Sequence, residues 1–166
     1  MSGIAFTSRR RATDAALLRR QARLLQAYSR DIVATDNLKS IVSITSNALA
    51  ALFGVPAVVM LIAEGEVITI DRVGAVAPQE ADFEAARASL VDKTVTRAGV
   101  YPALTSSFDF WPVATGTGQS AVIGLAFDPN ERPAAPDAII GTVGSVLALA
   151  LERQRFRDGV GASPAH

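Results

Sequence analysis

Tyr101, Thr105, Ser106, Ser107, Asp109 and Trp111 lie close together and bring aromatic rings, hydroxyls and a carboxylate into one short stretch. Rings that stack and hydroxyls that orient a small molecule are the usual lining of a recognition pocket. A ligand pocket is therefore assigned to Tyr101, Thr105, Ser107, Asp109 and Trp111. The same residues also have a packing reading, in which Phe110 and Trp111 are the core of a hairpin and the hydroxyls are solvated loop. Lys93 and Arg97 are the cations near enough in sequence to meet an anionic ligand such as a cyclic nucleotide.

Catalytic chemistry has little to build on. The chain has no cysteine, which removes thiol nucleophiles, thiolate metal sites, disulfides and thioether-bound chromophores together. Its one histidine, His166, is the last residue, so a Ser-His-Asp triad or a histidine metal site would have to form on the tail. Thr115-Gly116-Thr117-Gly118 resembles a phosphate loop only in composition, because it joins two strands and precedes no helix whose free amides would hold the phosphate. Glu64/Glu66 and Glu80/Asp82/Glu84 read as solvated acidic faces. No catalytic residue, metal or cofactor is assigned, and the chain is read as a non-enzyme.

The elements that would position the pocket are legible from periodicity. Residues 108–127 contain two alternating apolar runs joined by the Gly-bearing turn, the pattern of an antiparallel hairpin. Ala57 to Ile62 reads as a strand buried on both faces, with Glu64-Gly65 turning it into a partner strand from Glu66 to Arg72. A helix is expected from Asp36 or Asn37 to Phe53, stopped by Gly54, and another over Pro78 to Val91. Asp92 to Ser107 reads as a long loop. Asp137 is expected to cap a terminal helix from Ala138 to about Arg157, with Phe156 on its apolar side. Residues 1–34 form a basic amphipathic helical unit, 35–157 a folded domain that includes the long C-terminal helix, and 158–166 a linker or tail.

Within the first unit, Leu17, Leu18, Leu24, Leu25, Tyr28 and Ile32 recur at helical spacing between arginines. So narrow a stripe suits a seam between two helices, and the bland alternative is a helix lying on its own domain. Leu17, Leu24, Tyr28, Val143, Leu147 and Leu151 are assigned to terminal helices that pair between two copies, which makes a homodimer the expected state.

Composition sets the outer limits. With 166 residues and 49% hydrophobic content the chain has one domain's core plus extensions. No run reaches the roughly 18 uninterrupted apolar residues of a membrane span, and no leader pattern opens the chain, so a soluble fragment is expected. The zero net charge hides +6 over residues 1–30, where seven arginines face only Asp14, against −6 over the remainder. Nucleic-acid binding is not expected, since no aromatics interleave with those arginines and the body is acidic.

Short stretches add a resemblance. Gln26 to Asp31, Leu52-Phe53-Gly54, Arg97-Ala98-Gly99, Phe110 to Gly116, Val122-Ile123-Gly124 and Ala148 to Arg153 are similar, in order, to segments of the GAF domain of Kdp-type osmosensitive potassium sensor histidine kinases. The resemblance spans residues 10–157. It implies an α+β fold with a GAF-like central antiparallel sheet and flanking N- and C-terminal helices on one face. It further implies a regulatory segment in the cytoplasm, part of an inner-membrane protein, between transmembrane and histidine-kinase domains, with a small-molecule ligand as an open question. Leu90 falls where that family commonly has a Trp, and Val100-Tyr101-Pro102 replaces a more polar stretch.

Overall fold

The computed structural model describes residues 2–100, 105–115, 119–133 and 135–162. The chain folds as α1 (Ser2–Ala34), α2 (Leu38–Phe53), β1 (Ala57–Ala63), β2 (Glu66–Val73), α3 (Glu80–Asp92), β3 (Asp109–Val113), β4 (Gln119–Leu125) and α4 (Asp137–Ala162). All pairings in the sheet are antiparallel, in the order β2-β1-β4-β3.

Local chemistry explains the boundaries. Asn37 caps α2 by accepting the Ser40 amide at 2.8 Å, and Gly54 ends it in the left-handed region. Glu64 and Gly65 both have positive φ, as a two-residue hairpin loop of primed type requires. β1 is buried on both faces because it is a central strand covered by helices on each side. Both sheet edges are blunted. A bulge shifts the β1–β2 register between Leu61 and Ile62, while at β3 Thr96 exchanges both backbone hydrogen bonds with Phe110 and Pro112 has no amide to offer.

Alternation divides the core. Val59, Leu61, Trp111, Val113, Ile123 and Leu125 face one way and pack under α1, α2 and α4. Val58, Met60, Ile62, Phe110 and Val122 face the other way and pack with Phe108 under α3. Three helices therefore lie on one side of the sheet and one on the other. α3 covers its side with small residues, Ala85, Ala86 and Ser89, which explains its faint apolar periodicity.

Several expectations need correction. Asp137 is the first residue of α4 rather than its cap, and its carboxylate accepts from the Trp111 indole at 2.9 Å. Phe156 is 73% exposed, because α4 has passed the edge of the body by then. α1 begins at Ser2, well before Thr13, and α3 begins at Glu80 with Pro78 outside it.

The directions of the terminal helices follow from the pairings. β1 and β3 both run against β4 and so run together. α2 runs against β1, since Ser46 meets Asp71 beside Val59 while Phe53 is near the start of the strand. α1 runs against α2 through a short turn, and α4 runs with β3, Asp137 meeting Trp111 and Gly144 facing Val113. α1 and α4 thus share a direction, one entering the body at one end and the other leaving at the opposite end.

Candidate functional site

The residues assigned to a ligand pocket do not converge on one cavity. Tyr101 lies outside the described residues. Thr105 and Ser107 are exposed on the approach to β3, where the Ser107 amide and the Ser106 hydroxyl both reach the buried Asp82 carboxylate, at 2.8 and 2.9 Å. Asp82 also accepts the Gln79 amide at 2.7 Å, so one side chain both starts α3 and anchors the loop that precedes β3. Asp109 is buried at the end of the sheet, taking the Ala98 amide at 2.8 Å on one oxygen and pairing with Arg132 on the other. Arg132 lies over the Phe127 ring, whose edge contacts reach Trp111 and Phe53. Trp111 itself belongs to the side covered by α1, α2 and α4. Lys93 and Arg97 are exposed, Lys93 as the left-handed residue that ends α3.

The space between α3 and the sheet is filled. Phe108, Phe110, Met60, Val58 and Val122 are fully buried there. The Phe110 ring covers Gly124 so closely that a Cβ on that glycine would lie 2.7 Å from the ring and 2.6 Å from Val58.

The residues assigned to a dimer seam are mostly used inside the chain. Tyr28, Val143, Leu147 and Leu151 are buried in the core under the helices, and Leu24 packs against it. Leu17 alone among them remains exposed. The helix contact has two polar fastenings. Tyr28 and Thr45 share a hydrogen bond of 2.9 Å, and burial pushes the Tyr28 phenol up to about 12, an effect that the Thr45 bond partly offsets. Arg153 of α4 donates from one nitrogen to the Ile32 and Thr35 carbonyls, at 3.0 and 3.2 Å, so a guanidinium on the exit helix satisfies the carbonyl end of the entry helix. The Leu-Glu-Arg run at 151–153 was visible in sequence as the end of an apolar period, but no spacing rule announces a partner over a hundred residues away.

The open surface lies elsewhere. A groove of about 510 Å³ runs between β3 and α4, with Val113, Ile140, Gly144 and Ala148 among its lining, Trp111 on its wall, and Asp137 and Glu152 along its length. A hollow of about 270 Å³ between α1 and α4 is lined by Val33, Val146, Ala150 and Arg153. Leu149, 67% exposed, stands between the two. Among the described residues no group of acidic or histidine side chains is placed to hold a metal, and no helix is long and apolar enough to cross a membrane.

A four-stranded antiparallel sheet carrying the terminal helices on one face and a single helix on the other is the α+β fold of GAF domains. The chain is similar in structure to the native GAF domain of the potassium sensor histidine kinase KdpD from Escherichia coli, with a TM-score of 0.67 and 16% identity over 84% of this chain and 98% of that one. It is similar also to the GAF domain of a putative sensor histidine kinase from Pseudomonas syringae pv. tomato, with a TM-score of 0.60, 15% identity, and 95% and 99% of the two chains covered. A methyl-accepting chemotaxis protein, residues 122 to 287, matches with a TM-score of 0.56 at 14% identity, covering 81% and 99%. No family model and no curated protein matches the sequence.

Proposed function

We propose that this chain is a non-catalytic regulatory domain of a membrane two-component histidine kinase, and that it relays a signal between transmembrane and kinase regions in a potassium or osmotic response. It would work as a homodimer on the cytoplasmic side of the inner membrane. The observation that carries this reading is the shared direction of α1 and α4, which leave the body at opposite ends and are fastened where Arg153 meets the end of α1. A shift of α1 along its axis would have to move α4 or break that fastening, which is the minimum a relay needs. The likeness in fold to GAF domains of two sensor kinases supports the same reading.

The alternative is a stand-alone module that binds a small molecule. The filled space under α3 and the dispersal of Thr105, Ser107, Asp109 and Trp111 give that reading less support. The test is autophosphorylation, at varied potassium, of a membrane kinase carrying this chain as its cytoplasmic segment. The relay reading expects Arg153→Ala to uncouple kinase output from potassium while the kinase stays active. An unchanged potassium response in that variant sinks the reading, and a rise in melting temperature with a cyclic nucleotide would favour the module.

A further inference from the structure

β3 fastens the connection that leads into the exit helix. Strand alternation sets Asp109, Trp111 and Val113 on one face. Asp109 pairs with Arg132 of the β4–α4 connection, and the Trp111 indole donates to Asp137, the first residue of α4, at 2.9 Å. Arg132 also lies over the Phe127 ring, which meets Trp111 edge to face, and Val113 faces Gly144. The start of α4 is therefore held by one short strand.

The same strand is tied to α3 at both ends of that helix. The Asp82 carboxylate, in the first turn of α3, takes the Ser106 hydroxyl and the Ser107 amide just before β3. Past the other end, Thr96 exchanges backbone bonds of 2.8 and 3.0 Å with Phe110, and the Ala98 amide donates to Asp109 at 2.8 Å. β3 is moreover an edge strand of five residues, joined to the sheet through β4 alone, so it can shift with α3 without breaking the β1–β4 pairing. The two sets of attachments meet at Asp109. One of its oxygens serves the segment after α3, the other serves the segment before α4, and the residue is 2% exposed. A buried anion that loses one partner is left half-satisfied, and it regains solvation when the segment holding its other partner opens to water. Loss of either attachment thus loosens the other.

We propose that Asp109 is a coupling residue between α3 and the exit helix, so that the start of α4 answers to the single-helix side of the sheet as well as to α1. Whatever moves α3 or residues 94–98 changes the hold on Arg132, and with it the anchorage of the segment that ends at Asp137. The inference rests on the relay reading for the use of this coupling, while the coupling itself is a property of the chain alone. It gives the relay a second input, on the side of the sheet opposite α1.

The test is amide hydrogen exchange of the whole chain in Arg132→Ala, Arg132→Lys, Asp109→Asn and the double variant Asp109→Asn/Arg132→Ala. Arg132→Ala should speed exchange at Thr96, Ala98 and Phe110 at least about fivefold, the lower end of ordinary coupling between sites, although the bond it removes goes to Asp109 and not to these residues. Exchange at residues 57–62 is read beside them, so that any change in global stability is subtracted. In the Asp109→Asn background the same arginine change should add nothing, and Arg132→Lys, which keeps the charge, should restore most of the protection at 96–98. Coupling is reciprocal, so the factor measured from the α4 side holds equally from the α3 side. Unchanged exchange at 96–98 in Arg132→Ala overturns the proposal. An equal acceleration with and without the Asp109 carboxylate also overturns it, since the loosening would then bypass that group. If Asp109→Asn does not fold, the lysine variant decides, and acceleration equal to that of Arg132→Ala sinks the coupling. A coupling that holds in the chain while a kinase carrying Arg153→Ala keeps its potassium response would remove the relay reading and leave this inference standing.

Discussion

The Tyr28 phenol and the Thr45 hydroxyl share a bond of 2.9 Å, and Thr45 also reaches the Ile41 carbonyl at 2.8 Å. The phenol proton is held tightly, since burial pushes it from 10 to about 12 against the opposing pull of the Thr45 bond. The sign of the resulting pH dependence follows. Between these two values the unfolded chain has released the proton and the native chain still keeps it, so stability that is complete below pH 10 falls as pH rises, by about 1.4 kcal/mol per unit. Denaturation midpoints measured from pH 9 to 12 should show this slope and should lose most of it in Tyr28→Phe, at a cost near neutral pH of about 1 kcal/mol. An equal slope in the variant would place the alkaline sensitivity elsewhere. At Gly124 the expected effect is steric. A methyl there meets Val58 and Phe110 from both sides, so Gly124→Ala should cost about 1–3 kcal/mol in chemical denaturation, and a neutral result would mean that the Phe110 ring moves freely.

At the scale of elements, Arg153 has a role that its helix alone does not reveal. Arg153→Ala leaves the Ile32 carbonyl with only the long bond from the Thr35 amide and takes the guanidinium from the Thr35 carbonyl, and a loss of about 1–2 kcal/mol is expected, with faster amide exchange over the last turn of α1. Arg153→Lys should recover only part, because the shorter side chain carries its ammonium less far toward the two carbonyls that one guanidinium nitrogen reaches. Equal exchange in all three proteins would show the fastening to be idle. How much of this could be read beforehand differs by element. α2 was legible at both ends, since Asn37 and Gly54 state their roles locally, and β1 was legible because a run buried on both faces has no polar interruption. Trp111 was legible as strand core, since alternation already set it with Val113 and against Phe108 and Phe110. The parity was visible, but which face the helices would cover is settled by tertiary packing. The same limit explains the seam: a stripe of Leu24, Tyr28 and Ile32 looks alike whether its partner is another chain or the chain's own α2.

Across the whole molecule, the helices and the sheet have unequal claims to stability. α1 is 33 residues and about 50 Å long, and among its described side chains those that pack into the body begin at Leu24. Residues 12–20 are helix without tertiary cover, and a free helix of that length is marginal in water. β1, by contrast, pairs on both edges and is buried on both faces, so its amides exchange only when the molecule opens as a whole. Hydrogen exchange at low concentration should therefore show residues 12–20 nearly unprotected and residues 57–62 protected to the global limit. If a second copy covers Leu17 and Leu18, as the homodimer reading expects, protection at residues 12–20 must climb with concentration while that of β1 stays level. Protection at 12–20 that is high and independent of concentration would mean that the helix is stable alone, and that the exposed leucines need no partner to hold them in register.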